Sequence, residues 1–519
     1  MNFRSLFSIV VGGIATVVLI AAWSLASPVG SVPDSSFHLA SIWCSETSPA
    51  SECSIVETIP GQPRVHLPVD LIYPACFTAL PDGMTACAAG VNSSGTVATT
   101  SNQLSNLNPS GFYSALGFLA GQPVEGHVVL MRVVAGCVSA LLIGCSAILL
   151  RREERRRFLL LALIVHVPLG LFFMASVNAS GAALAVVIAA VPVGVRLNRA
   201  LGWVESTGLL VGAALLLAAA ANLRKEAPVL VLSVLLALAG QRLVRSVTRS
   251  RRTAVLGLSL VTTSAIALLQ VSNILELIRA GLNGVLRVNG EGTLTVELVL
   301  TNAIGVFLLW FAGFGGWSPA DVAGLGLMDV VPPWPTTLVT GGVLVLLLHE
   351  ARRSSRSVPL GSSISLLGLA WLLPFWTLTV SGLRVGEQLQ PRYVLPILAA
   401  GVIAASLCQP SPRDGRSWRH TYITASLSLA HLLALGGVVL HYSYGPGPVI
   451  ALLSTEPSWR WTATHPLIAL AAGAIAFTVL VRTLSSGTAH QAVRSDPSAD
   501  DLTERGGNEL SVVVNHENS

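Results

Sequence analysis

Apolar stretches about as long as the roughly 20 residues that span a hydrocarbon core recur from Leu6 to Arg482, separated by polar connections. So many stretches make the membrane part of the fold rather than the seat of an anchor, because a chain in lipid must satisfy its own backbone. The pattern predicts crossings at 6–25 and 128–150, then near 158–175, 181–195, 208–222, 227–240, 253–271, 335–349, 359–381, 392–408, 420–441 and 464–482. The expected fold is therefore all-α: a polytopic integral membrane protein with about 12 transmembrane helices. Four regions follow: a first transmembrane helix in 1–26, a long outer loop in 27–127, a multi-helix membrane domain in 128–482, and a polar, disordered tail in 483–519. Ser24-Leu25-Ala26 is also a passable signal-peptidase site, but the first stretch exceeds the about 7–15 residues of a signal peptide's apolar region, which favours an uncleaved helix.

Arginines orient these stretches. Arg4 precedes the first, and the run Arg151-Arg152-Glu153-Glu154-Arg155-Arg156-Arg157 follows the second, so both lie on the cytoplasmic side and 27–127 lies outside. Arg196 and Arg199, the clusters at 242–252, 352–356 and 413–419, and the tail after Arg482 continue the cytoplasmic series. N-terminus and tail are then both cytoplasmic, as expected of a multi-pass membrane protein with an even number of crossings. The stretch 294–314 breaks parity, since an even number of crossings must separate Arg252 from Arg352. Either it or a neighbour is re-entrant or interfacial, or one basic cluster lies outside. Trp317, Trp334, Trp371, Trp376, Trp459 and Trp461 fall at predicted helix ends, as interfacial rings do.

Composition agrees with the pattern. The chain of 519 residues is 52% hydrophobic and 11% charged, which excludes an ordinary soluble protein. The net charge of +5 comes from 30 arginines and one lysine, Lys225, against 26 acids. Because the arginines cluster between apolar stretches, topology explains them and no nucleic-acid partner is implied. Neither a P-loop, a G-x-S-x-G nor an H-E-x-x-H motif is present, so the sequence supports no nucleotide cofactor and none of the commoner hydrolase sites.

The outer loop holds Cys44, Cys53, Cys76 and Cys87 in a disulfide-permissive compartment. Three pairings are possible, and proximity favours Cys44–Cys53 with Cys76–Cys87. No C-x-x-C pair is present, so no metal site is expected. Cys137, Cys145 and Cys408 read as buried thiols of apolar helices. Asn92-Ser93-Ser94 and Asn178-Ala179-Ser180 match glycosylation triplets, which arise often by chance. The segment Phe112 to Leu119 reads as a short apolar element on the membrane surface.

Candidate chemistry lies at the outer boundary. In Pro33-Asp34-Ser35-Ser36-Phe37-His38, Asp34 and His38 stand four apart and share one face of a short helix. A carboxylate and an imidazole so placed suit a general base with an orienting partner, whereas the same string also reads as an N-cap. Arg224-Lys225-Glu226 is a short charged turn between two apolar stretches, suited to a phosphate or to a plain Arg/Glu surface pair. Arg392, in Pro391-Arg392-Tyr393-Val394-Leu395-Pro396, and Arg132, in Leu130-Met131-Arg132, recur at the same depth; each reads as a phosphate ligand or a snorkelling arginine. His166, His349, His431 and His441 stand alone in or at the ends of helices and read as packed side chains; Glu276 and Arg279 lie on an amphipathic run.

Through Pro33-Asp34 with His38, Cys44, Leu130-Met131-Arg132, Ser176-Val177-Asn178-Ala179-Ser180-Gly181, the Arg224-Lys225-Glu226 turn and Pro391 to Pro396, the chain resembles domain of unknown function 2142, a family of bacterial polytopic membrane proteins common in actinobacteria. The resemblance runs from about residue 10 to 480 and rests on the order and spacing of short motifs. That family is distantly similar to membrane glycosyltransferases of the GT-C fold, which use polyprenyl-phosphate-linked sugars and an acid in the first outer loop. Asp34 stands at the matching place. Where many relatives have a second acid this chain has Ser35, so neither a metal nor a two-carboxylate mechanism is implied.

The resemblance implies a transferase moving a sugar from a polyprenyl-phosphate carrier to a cell-envelope acceptor. Asp34 and His38 would be catalytic, with Arg132, Arg224, Lys225, Glu226 and Arg392 around the phosphate; lipid is the other partner. The rival readings are a flippase or transporter of lipid-linked saccharides and a non-catalytic envelope assembly subunit.

Overall fold

Small residues decide which helices reach the centre. In the computed structural model, Ala179–Arg199 and Pro391–Leu407 are buried along almost their whole length, and both are rich in Ala, Gly and Val. Such side chains let neighbouring backbones approach closely, which is how helices associate in lipid. The structure describes residues 3–49, 55–59, 62–68, 71, 96–99, 111–200, 202–247, 295–315, 330, 334–353, 360–386, 389–407, 417–444 and 464–486.

In chain order the elements begin with α1 (Phe3–Ala26) and α2 (Ser35–Trp43). A small antiparallel sheet follows, of β1 (Ile55–Ile59), β2 (Gln62–Pro68) and β3 (Thr96–Thr99), with β2 central and Val65 opposite Thr99. Next come α3 (Gly111–Gly117), α4 (Val124–Ala147), α5 (Arg152–His166), α6 (Leu169–Met174) and α7 (Ala179–Arg199). Then come α8 (Trp203–Ala221), α9 (Ala227–Val247), α10 (Val296–Gly315) and α11 (Trp334–Arg353). The last are α12 (Leu360–Val380), α13 (Pro391–Leu407), α14 (Ser417–Tyr444) and α15 (Pro466–Ser486). The sheet corrects the all-α expectation for the long loop: Ile55, Val56, Thr58, Ile59 and Val65 are β-branched and favour a pleated strand.

Eight helices among the described residues are long and apolar enough to cross a membrane, and two shorter apolar runs are Ala227–Ala239 within α9 and Pro391–Leu407, which is α13. The central helix α7 packs against α4, α8, α9 and α13, while α13 also meets α10 and α12; α1, α14 and α15 form a neighbouring group. Outlying helices turn apolar faces outward, through Phe7 and Ile14 on α1, Val138 and Leu141 on α4, and Ile468 and Ile475 on α15. A soluble protein would hide such faces; lipid accepts them.

The sorting of helix ends follows the arginines. Glu154 of the basic run binds Arg199 at 2.7 Å, and Arg196 binds Glu205 at 2.5 Å, so two clusters expected on one side do share one end of the bundle. At that end Arg155 also donates to the carbonyls of Ala147, Ile148 and Leu150, closing the C-terminus of α4.

Three expected elements take another form. The stretch 158–175 is two helices, because Pro168 lacks a donor and holds Val167 extended, ending α5 at His166. Of the readings open for 294–314, a re-entrant segment there is overturned: Val296–Gly315 is one continuous helix, with no proline to break it. Trp371 lies midway along α12, not at an end, and donates to the carbonyl of Ala303. The crossing near 253–271, the run with Glu276 and Arg279, Cys408, Asn92, Trp317, Trp459, Trp461 and the tail 487–519 lie outside the described residues.

Candidate functional site

Helices α2, α7 and α13 begin at one end of the bundle, and their N-termini surround Asp34, which lies just before α2. Its backbone is left-handed, with φ 58° and ψ 20°, the one positive φ among described residues other than glycine. A non-glycine residue is held there only when its surroundings over-determine it, and such strain collects at functional sites. The side chain makes no capping bond to α2. The N-cap reading of the carboxylate is thereby overturned: Asp34 sits at the cap position, but its Oδ2 is engaged by Arg392 instead.

Asp34 Oδ2 accepts from Arg392 Nη2 at 2.5 Å, across 358 residues of chain. The two sides differ in exposure: the Arg392 side chain is 4% exposed and that of Asp34 54%. Arg392 Nη2 also donates to the Tyr393 hydroxyl at 3.2 Å, and the guanidinium lies over the rings of Phe173 and Tyr393, at 5.6 and 5.1 Å. Its Nε and Nη1 are buried with no hydrogen-bond partner. Burying unmatched donors on a cation is unfavourable, and the aromatic faces offset only part of that cost. A second cation completes the cluster. Arg224 donates to Ser180 Oγ on the first turn of α7, pairs with Glu226 Oε1 at 2.6 Å and lies 4.7 Å from the centre of the Tyr393 ring. Burial pulls its pKa down, but Glu226 and Tyr393 outweigh this and raise it, so it stays charged. The expected Arg/Glu pair therefore exists, yet the same guanidinium also reaches inward. Lys225 is exposed on the same turn and joins no ion pair among the described residues.

His38 faces the same cluster, where it shares a 2.6 Å hydrogen bond from Nδ1 with the Tyr113 hydroxyl instead of orienting Asp34. The four-residue spacing put both residues on one side of α2, but Asp34 turned toward α13 and His38 toward α3. Burial brings the pKa of His38 down to about 3; Arg224 and Arg392 push the same way and Asp34 opposes. The imidazole is neutral at physiological pH. Burial likewise raises the pKa of Tyr113. The segment expected on the membrane surface is thus α3, packed on α2 through Tyr113 and Leu116.

Arg132 does not join this cluster, contrary to its expected role. It is fully buried, and its guanidinium donates to the carbonyls of Ser24 and Ser27, at 3.0 and 2.6 Å, and of Pro28, at 2.7 Å. These are the open carbonyls where α1 ends, so Arg132 acts as a C-terminal clamp on the segment leading to Asp34. Asn178 and Tyr442 hold the same segment, donating to the carbonyls of Pro33 and Ser31 at 2.9 and 3.3 Å. Asn178 also caps α7 by accepting from the Ser180 amide, and its burial removes it as a glycosylation acceptor. Cys44, at the end of α2, is disulfide-bonded; Cys53, Cys76 and Cys87 lie outside the described residues. Cys137 and Cys145 are free, and Cys145 is exposed on α4 rather than buried.

The structure therefore brings together Asp34, His38, Arg224, Glu226 and Arg392, and adds Tyr113, Phe173, Ser180 and Tyr393. Among the described residues no three His, Cys, Asp or Glu side chains are grouped to hold a metal ion. An acid beside two buried or half-buried guanidinium groups is suited to an anion near a proton acceptor. Asn178, Ser180 and Tyr393 lay inside motifs already noted, while nothing in the local sequence marked Tyr113 or Phe173.

No curated protein and no solved structure matches the chain. Residues 17–400 match the family described as predicted membrane protein (DUF2142), an extent that takes in Asp34, His38, Arg224 and Arg392. The chain belongs to that family of multi-pass membrane proteins.

Proposed function

We propose that this protein is a membrane glycosyltransferase whose Asp34 end faces outward, moving a sugar from a polyprenyl-phosphate carrier to an acceptor of the cell envelope. The observation that carries the reading is the buried Arg392, drawn from far along the chain onto Asp34 while two of its donors lack partners. Asp34 removes a proton from the acceptor hydroxyl. Arg392 and Arg224 bind the phosphate that departs, assisted by the positive ends of α7 and α13. His38, neutral and fixed by Tyr113, lines the acceptor side. Stabilising a leaving phosphate with fixed cations requires no nucleotide.

Proton transfer to a positioned base contributes about 10²–10⁴-fold, so Asp34→Asn should lower transfer by at least about 10²-fold while the helices stay folded. The assay follows a radiolabelled sugar from its lipid carrier into envelope polymer, in membranes from cells lacking the gene and complemented with either form. Transfer at the wild-type rate by the variant rejects the reading. Cells without the gene should lack one sugar on an envelope polymer; an undiminished polymer with accumulated lipid-linked precursor would identify transport instead. For the long loop we keep the pairing Cys44–Cys53 with Cys76–Cys87, which non-reducing peptide mapping tests.

A further inference from the structure

The ion pair between Asp34 and Arg392 is unusual in its asymmetry. The guanidinium is almost wholly buried, the carboxylate is more than half exposed, and two guanidinium donors have no partner. Arg132, which holds the end of α1, has both terminal nitrogens of its guanidinium on carbonyls, whereas Arg392 leaves Nη1 as well as Nε unmatched. Asp34 instead offers one oxygen to one nitrogen, from a strained turn. In this arrangement it stands where a ligand's oxygen would stand.

We propose that Asp34 is the resident occupant of the Arg392 anion site, and that a dianionic phosphate monoester displaces it during transfer. The inference rests on the transferase reading and specifies how the site works. A sugar phosphodiester carries one negative charge and the phosphate monoester it releases carries close to two, given a second pKa of about 6. In the reaction the acceptor O–H bond breaks and its proton goes to a carboxylate oxygen of Asp34. The acceptor oxygen bonds to the anomeric carbon of the sugar. The bond from that carbon to the phosphate oxygen breaks, and its electron pair stays on the phosphate. Asp34 passes from −1 to neutral as the phosphate passes from −1 to −2, so the Arg392 charge changes partner while the total is conserved. Proton removal and leaving-group stabilisation become one event, because the base loses its hold on the cation just as the phosphate gains the charge to take it. The site binds the departing phosphate more strongly than the donor, which is the requirement for lowering a barrier rather than merely binding substrate.

The arrangement has a consequence of definite sign. Asp34→Asn and Asp34→Gly should each bind phosphate more tightly than the wild type, by about tenfold or more, because the competing carboxylate is gone. Both residues accept a left-handed backbone, so the turn survives in at least one of them. The experiment is isothermal titration of the full chain in lipid nanodiscs with farnesyl phosphate and, separately, with inorganic phosphate. Tighter binding of either probe supports the exchange, and a gain confined to farnesyl phosphate identifies a lipid headgroup as the ligand. Adding Arg392→Ala should abolish the gain; its persistence in the double variant overturns the proposal. Wild-type binding that is unchanged or weakened in both single variants also overturns it, making Asp34 a support for Arg392 and leaving the transferase reading standing. If no form of the protein binds either probe, the anion site and the transferase reading fail together.

Discussion

Each charged side chain at the Asp34 end is held by a different balance of burial and partner. For His38 the balance can be measured. Its pKa falls from 6.5 to about 3 in the folded chain because burial disfavours the imidazolium. Below pH 6.5 the unfolded chain takes up a proton that the folded chain refuses, so stability declines as pH falls through that window. The slope approaches about 1.4 kcal/mol per pH unit, the value of one proton difference. When the detergent-solubilised protein is melted between pH 7 and 4, His38→Gln should lower the pH slope by up to that amount; an equal slope in both would refute it. At this scale the sequence marked the right kinds of residue without separating their roles. Arg132 and Arg392 looked alike, each an arginine at the start of an apolar stretch. Their difference is set by what packs beside them: carbonyls at the end of α1 in one case, a carboxylate and two aromatic rings in the other.

Among the helices, α6 and α7 decide how the site is floored. Gly181 lies one turn into α7, where a Cβ would overlap the backbone carbonyl of Phe173 on α6. That close approach holds the Phe173 ring under Arg392. Gly181→Ala should therefore destabilise the protein by about 1–3 kcal/mol, as overpacking does, and also weaken phosphate binding. A thermal melt and a phosphate titration check the two effects; a stable variant with full affinity would show that α6 has room to move. The hydropathy pattern located α7, and Ser176 to Gly181 stood out as a motif, but not because a backbone passes there. The division of 158–175 at Pro168 could have been read from the proline; the continuity of α10 could not, because charge parity says how many crossings are needed and not which stretch supplies them.

Taken as a whole, the molecule places Asp34, Arg224 and Arg392 at one end and the Arg151 to Arg157 run with Arg199 at the other. Under the charge rule the first end is outside. A membrane-impermeant maleimide added to intact cells should label Lys225→Cys, in a background with Cys137→Ala and Cys145→Ala, whereas Arg152→Cys should react only after the membrane is opened. The reverse pattern would invert the orientation and move the site to the cytoplasmic face. What the sequence determined by itself is the quantity that adds along a chain: the hydropathy of each stretch and the charge between stretches, which made this a multi-pass membrane protein and sorted its helix ends. The tertiary structure alone decided which of several cations takes the acid, which way Asp34 and His38 turn from one short helix, and which carbonyls claim Arg132. Those outcomes depend on side chains hundreds of residues apart meeting at van der Waals distance, and a buried charge is settled by its neighbours in space rather than by its neighbours along the chain.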